Sequence, residues 1–249
     1  MNIDLAGKRA IVAGGSRGIG RAIALGLAEA GAGVSICARG AERLATTREE
    51  IARHGGTTHA AVCDLADEAA VPRYIEEAAA ALGGIDILVN NASGFGATDD
   101  ENGWAVSISV DLMATVRAIR TALPHLEKSG SGAILNISSI SGLRATPRTP
   151  PYAAIKAAVV NYTLTEAAAL ARKGIRVNCI APGSIEFPGG TWERARLNNP
   201  DLYGRILRSI PFGRLGKPEE VAQVALFLCS PLAGWVTGQT NAVDGGQML

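Results

Sequence analysis

Two hydrophobic rhythms alternate along the chain. Short runs rich in β-branched and other apolar residues fall at 9–13, 34–38, 58–63, 85–90, 133–138, 176–180 and 240–243. Longer Ala-rich segments with apolar positions three and four apart separate them, near 18–30, 41–54, 67–82, 102–127, 151–172 and 218–229. The short runs predict strands and the periodic segments predict helices. Strict alternation of the two predicts βαβ units, and hence a parallel sheet covered by helices on both faces. Burial on both faces also accounts for Ile85-Asp86-Ile87-Leu88-Val89, which is apolar at almost every position rather than every second one. No linker, repeat or low-complexity tract interrupts the series. The expectation is a single α/β domain over residues 1–249, a doubly wound parallel sheet of about seven strands.

One stretch breaks the rhythm. Residues 183–216 hold Phe187, Trp192, Tyr203 and Phe212, four of the chain's eleven aromatic residues. Open α/β sheets bind ligands beyond the carboxyl ends of their strands, and long connections there commonly cover the site. The segment is therefore expected to be a substrate lid. A second stretch, 221–243, carries no formal charge and is long enough to span a bilayer. It contains Gln223, Ser230, Pro231, Gly234, Gly238, Gln239 and Asn241, a pattern that predicts a helix, a turn and a strand in water. The N-terminus lacks the basic, apolar and cleavage regions of a signal peptide, so a soluble cytoplasmic protein is expected.

Composition narrows the classes. Of 249 residues, 47% are apolar and 19% charged, which suits a packed core and excludes disorder. Lys+Arg is 24 and Asp+Glu is 23, so no net field draws nucleic acid or an anionic membrane, and neither is an expected partner. Cys37, Cys63, Cys179 and Cys229 lie far apart without CxxC spacing and read as reduced core residues. His54, His59 and His125 show no metal-ligand spacing; all three read as surface or loop residues, and no metal is expected.

The first predicted strand runs into Ala13-Gly14-Gly15-Ser16-Arg17-Gly18-Ile19-Gly20 and then into a helix. Glycines here let the backbone turn and approach a pyrophosphate, while the helix N-terminus offers free N–H groups and its positive dipole end. The spacing is Gly-x-x-x-Gly-x-Gly and resembles the short-chain dehydrogenase/reductase family. The resemblance implies a Rossmann-type fold, with Gly14, Ser16, Arg17, Gly18, Ile19 and Gly20 in the cofactor loop. NAD-specific proteins place an acid at the end of the second strand to hold the ribose hydroxyls. Here Ala38 stands there and Arg39 follows. Arg39, with Arg17, suits a 2′-phosphate, so NADP(H) is expected over NAD(H). Asp64 and Leu65 resemble the family's adenine-contact pair.

Tyr152-Ala-Ala-Ile-Lys156 opens a predicted helix and puts a phenol and an ammonium on one face. A cation beside a phenol stabilises phenolate, and such a tyrosine can exchange a proton with a carbonyl oxygen or an alcohol. Upstream stands Asn136-Ile-Ser138-Ser139-Ile-Ser141-Gly142. Ser139 matches the family's catalytic serine, with Ser138 and Ser141 as rivals. The resemblance then implies hydride transfer between NADP(H) and a carbonyl or secondary alcohol. In it Tyr152 moves the proton, Lys156 assists it and holds the nicotinamide ribose, and Ser139 polarises the oxygen.

Other motifs match with changes. Asn90-Asn91-Ala92-Ser93 resembles the family's Asn-Asn-Ala-Gly beside the cofactor, with Ser93 in place of glycine. Pro182-Gly183-Ser184-Ile185 resembles the loop whose backbone contacts the nicotinamide carboxamide, but Phe187 stands where the family has a threonine. Asp111 stands where the family has an asparagine in the proton relay to the lysine, and is expected to serve that relay. The motifs are closest to those of 3-oxoacyl-carrier-protein reductases, though they are shared across many substrates. The helix after Tyr152 is apolar nearly all round, which predicts a second subunit on its outer face and a homodimer or homotetramer. The competing reading is a catalytically weak NADP-binding sensor or scaffold, to which Ser93, Asp111 and Phe187 lend weight. The intact Ser139, Tyr152 and Lys156 set outweighs it, because binding alone has no use for that proton-transfer geometry.

Overall fold

Strands β1 (Arg9–Ala13), β2 (Gly33–Ala38), β3 (Thr58–Val62), β4 (Ile87–Asn90), β5 (Ala133–Ile137), β6 (Arg176–Pro182) and β7 (Thr240–Val243) lie parallel in one sheet in the computed structural model, which describes residues 3–249. The strand order is β3-β2-β1-β4-β5-β6-β7. Winding starts at β1 and runs outward first one way and then the other. The switch falls between β1 and β4, where Ala13 pairs with Asn90. At that point the connections leave in opposite directions and open a crevice beyond the strands' carboxyl ends.

Helices α1 (Gly18–Glu29), α2 (Ala41–Ala52) and α9 (Pro218–Cys229) close one face around Ile23, Leu27, Leu44, Ile51, Val221 and Leu228. Helices α3 (Ala70–Leu82), α5 (Ala114–Ser129) and α6 (Pro150–Leu170) close the other around Val71, Ile75, Ile119, Leu126 and Leu170. Alternate residues of the central strands enter the two cores, with Ile11 and Leu88 on one side and Val12 and Val89 on the other. The one charged residue of the predicted β4 run, Asp86, is buried and bonded, its Oδ2 accepting from Arg9 Nε at 2.6 Å and Arg9 N at 2.9 Å. The segment 221–243 folds as the end of α9, a 3-10 turn (Pro231–Ala233) and β7. Among the described residues no helix is long and apolar enough to cross a membrane.

Two expectations need correction. The predicted helix 102–127 is not one α-helix: α4 (Glu101–Val106) passes into a π-helical stretch, Ser107–Met113, before α5 begins. The wider winding turns Asp111 fully inward; it is 2% exposed. Such π segments recur at functional sites, where they re-aim one side chain. His59 is not a surface or loop residue; it lies in β3, half-buried, with Nδ1 2.9 Å from Ser35 Oγ, which also meets the Tyr74 hydroxyl at 2.9 Å. Period-2 burial could not flag it, because β3 is an edge strand with partly exposed residues throughout.

Burial lowers the His59 pKa. The unfolded chain therefore binds the proton more readily, and stability falls as pH drops below about 6.5, the ordinary histidine value. The urea midpoint is expected to be lower at pH 5 than at pH 7.5, with a smaller difference in His59→Gln. An equal pH effect in both proteins would remove His59 as a cause.

Candidate active site

The end of β5 and the start of α6 build the site. Past Ile137 the chain turns through Ser138 and Ser139 into a short 3-10 segment, Ile140–Gly142, and Ser139 Oγ caps it by accepting from Ser141 N at 3.1 Å. Helix α6 opens on Pro150 and Pro151, whose missing N–H groups cost nothing in a first turn. The two segments touch at Gly142, where a Cβ would come within 2.6 Å of the Lys156 carbonyl carbon. Only glycine permits that approach.

The serines are thereby sorted. Ser138 Oγ donates to the Lys156 carbonyl at 2.8 Å inside the protein, so its hydroxyl serves the backbone. Ser138 and Ser139 both border a cavity of about 580 Å³ together with Ser141, Tyr152 and Lys156, but only the Ser138 hydroxyl is given to a backbone carbonyl. A buried chain of amides ties the same elements together. Asn90 Nδ2 donates to Asn136 Oδ1 at 2.9 Å, and Asn136 Nδ2 donates to Thr163 Oγ1 at 2.9 Å.

Lys156 is buried, and its ammonium has defined partners. Nζ donates to the Ile137 carbonyl at 3.0 Å, lies 2.9 Å from Asp111 Oδ1 and sits 5.6 Å from the centre of the Tyr152 ring. Burial opposes the charge, but Asp111 and then Tyr152 more than offset it, and the Lys156 pKa is raised. The Nζ–Oδ1 approach lies off the hydrogen-bond direction, so it acts as an ion pair. Asp111 Oδ2 accepts from Gly94 N at 2.9 Å. Asp111 thus lies behind Lys156, away from the cavity, and ties the lysine to the loop after β4.

The same cavity reaches the glycine loop at Arg17 and Ile19 and is bordered by Asn91, Ser93, Pro182, Gly183 and Ile185. Gly14 has φ +79°, and a Cβ on it would meet Ala92 at 2.9 Å. Asn91 Nδ2 donates to the Gly14 carbonyl at 2.9 Å, bracing the loop against the end of β4. Helix α1 starts with no side-chain cap and no acid in its first turn, an arrangement that leaves its orphan N–H groups to an anion. The residues present therefore fit a dinucleotide. Gly18 and Gly20 lie in this loop, and the Phe187 ring rests on Gly18, 2.6 Å from where a Cβ would stand. Phe187 thus gives the loop an apolar neighbour where a polar one was expected.

Ser16 in the glycine loop after β1, Arg39 after β2, and Asp64 and Leu65 after β3 lie off the cavity. Arg39 has company that the sequence reading missed. Burial lowers the Arg17 pKa, and Arg43, Arg194 and Arg39 lower it further in that order, so four guanidiniums share one field. Arg43 comes from α2, and Arg194 from α7 (Thr191–Asn198) within the 183–216 segment. The separation of Arg194 in sequence hid it; Arg43, four residues after Arg39, was the available signal. Gln247 was also missed. Buried near the C-terminus, it accepts from Ser184 N through Oε1 at 2.9 Å and from Arg144 Nη1 through its carbonyl at 2.8 Å, joining two walls of the cavity.

All four cysteines are buried and free, and burial pushes Cys179 to about 11 and Cys229 to about 12. Among the described residues no group of three or more His, Cys, Asp or Glu is placed to hold a metal ion.

Comparison with known proteins agrees with this architecture. Residues 13–248 match the family model described as enoyl-(acyl carrier protein) reductase. A 3-oxoacyl-(acyl-carrier-protein) reductase of Chlamydia pneumoniae is 38% identical over 253 residues, covering 99% of each chain. A 7α-hydroxysteroid dehydrogenase solved with NADH and 7-oxo glycochenodeoxycholic acid superposes with a TM-score of 0.92 at 35% identity, over 98% of this chain and 96% of that one. An L-sorbose reductase from Gluconobacter frateurii, solved with NADPH and L-sorbose, gives 0.91 at 33% identity, over 100% and 99%.

Proposed function

The chain is an oxidoreductase of the short-chain dehydrogenase/reductase family, and we propose that it is an NADP(H)-dependent carbonyl reductase or secondary-alcohol dehydrogenase working through Ser139, Tyr152 and Lys156. One observation carries the reading: these three residues line a single cavity that continues to the uncapped start of α1. When bound, the nicotinamide supplies the hydride for the carbonyl carbon or accepts it from the alcohol. Tyr152 gives its hydroxyl proton to the carbonyl oxygen, or takes the alcohol proton in the reverse direction. The Lys156 ammonium stabilises the phenolate left behind. With one donor on the Ile137 carbonyl and Asp111 as its counter-charge, it keeps donors for a further partner. Ser139 donates to the carbonyl oxygen as charge gathers there. Asp111 holds Lys156 charged and in place, taking over the position of the relay asparagine.

Cofactor choice follows from charge. Arg17 feels the charges of Arg43, Arg194 and Arg39, and no acid stands at Ala38, which suits a 2′-phosphate and its two negative charges. Arg39→Ala is expected to weaken NADPH binding at least about tenfold and NADH binding less than about twofold, as the loss of one charge-assisted contact predicts. Fluorescence titration with both cofactors measures this; equal weakening would transfer the preference elsewhere.

Residues 183–216 serve as the lid. From them Phe187, Trp192, Leu202 and Ile206 line the cavity, facing Phe95 and Ile140. This apolar lining suits a carbonyl bearing a hydrophobic substituent, and among the relatives' substrates it favours a 3-oxoacyl thioester over a ketose. The outer face of α6, where Ala154, Ala157, Leu164 and Ala168 are exposed, suits the interface of a homodimer or homotetramer. The four free thiols suit the cytoplasm. A panel of ketones and alcohols followed by nicotinamide absorbance with each cofactor tests the reading. Tight NADPH binding with no turnover on any of them would favour a sensor.

A further inference from the structure

Phe95 is the only non-glycine residue among those described with a positive φ, +50°, a conformation that a bulky side chain rarely enters. It follows β4 on the loop where this chain departs from the family pattern. Two of the departures hold it there. Ser93 Oγ accepts from Phe95 N at 3.1 Å, and Asp111 Oδ2 accepts from Gly94 N at 2.9 Å. A glycine at 93 has no hydroxyl to offer. The product of the bend is one contact: the Phe95 ring meets the Tyr152 ring edge-on, with centroids 4.9 Å apart and planes at 65°. Phe95 as a whole is 44% exposed and forms part of the cavity wall, so packing in the core does not explain its strained backbone. Strain of this kind persists where surrounding bonds fix it and clusters at functional sites.

We propose that Phe95 is a positioning residue, held in the left-handed conformation by Ser93 and Asp111 so that its ring fixes the Tyr152 phenol against Lys156 and shields one side of it from water. The proposal rests on the reading of Tyr152 as the proton carrier. Asp111 then steadies the phenol's two neighbours at once, with Oδ1 on the lysine and Oδ2 on the Phe95 loop. Ser93 and Asp111, two departures from the family pattern, become parts of one device.

The test compares wild type with Phe95→Leu, Phe95→Tyr and Tyr152→Phe. Turnover is followed with NADPH and ethyl acetoacetate, and NADPH affinity by fluorescence. Protein labelled with 3-fluorotyrosine is examined by fluorine NMR, where the chain's four tyrosines are separable and Tyr152→Phe identifies its resonance. Phe95→Leu keeps apolar bulk but removes the ring. It is expected to lower kcat about three- to tenfold, the range of an ordinary aromatic pair, with the NADPH affinity unchanged. Phe95→Tyr should restore kcat, and the Tyr152 resonance should move in Phe95→Leu as the ring current is lost. A Phe95→Leu protein with wild-type kcat and an unmoved Tyr152 resonance, beside an inactive Tyr152→Phe, overturns the proposal alone. Equal losses in the leucine and tyrosine variants also overturn it, because the ring would then have no part. Full turnover in Tyr152→Phe brings down the proton-carrier reading itself. Should the keto ester not be reduced, the fluorine resonance decides.

Discussion

Tyr152→Phe is expected to lose turnover by roughly a hundred- to ten-thousand-fold, the usual worth of a positioned proton donor. NADPH affinity should stay within about twofold, since the substitution removes one oxygen and no part of the glycine loop. The change is a clean one. The ring that packs edge-on against Phe95 is kept, as is the ring beside Lys156, so the local packing survives. Steady-state kcat and a cofactor titration on the same preparation separate chemistry from binding. If turnover were unchanged, Tyr152 would have no place in the proton path, and a hydroxyl from Ser139 or Ser141 in the same cavity would have to supply it.

The second large effect is on folding. Asp111→Ala is expected to destabilise the protein by about 3–5 kcal/mol, because it leaves the Lys156 ammonium buried without its counter-charge. For a chain of this size that is a fall in Tm of roughly 6–20 °C. Both side chains are almost wholly inaccessible, at 3% for Lys156 and 0% for Asp111, so solvent screening does little to soften the loss. Asp111→Asn should cost less, because the amide oxygen can still accept from Gly94 N, although its NH2 then faces the lysine where Oδ1 stood. The lysine pKa is raised in the folded state. The pair's contribution is therefore full below about 10, the ordinary lysine value, and is lost only as pH rises through the higher folded value. In Asp111→Ala burial is no longer offset and the lysine pKa falls, so the variant gains stability as pH rises towards the ordinary lysine value, and its gap to wild type should narrow from pH 6 to pH 9. Calorimetry across that range measures it, and an alanine variant as stable as the wild type would show that the ammonium finds other compensation.

Much of this was legible beforehand, for identifiable reasons. The strand runs and the Gly14–Gly20 loop are local signals: burial on both faces writes itself as unbroken apolar runs, and a tight phosphate turn demands glycine. Tyr152 and Lys156 were legible because one helical turn brings them together. The π-helical stretch at Ser107–Met113 was not, since its sequence is periodic enough for an α-helix. Asp111 shows the difference well. Its identity stood out in the sequence, but its two partners, Lys156 and Gly94, lie 45 and 17 positions away. The same distance hid Arg194 from Arg39 and Gln247 from Ser184.

By itself, then, the sequence determined the alternating α/β architecture, the place of the phosphate loop, the family likeness and the tyrosine–lysine pair, all of which rest on contacts within a few residues or on burial pattern. Tertiary structure alone decided that the Ser138 hydroxyl is given to the Lys156 carbonyl, although Ser138 and Ser139 both border the cavity. It also decided that Asp111 is tied to both the lysine and the Gly94 loop, and that Phe95 is bent onto the phenol. Those outcomes depend on close approach between β4, β5 and α6, and only the packed sheet and helices set which polar groups meet there.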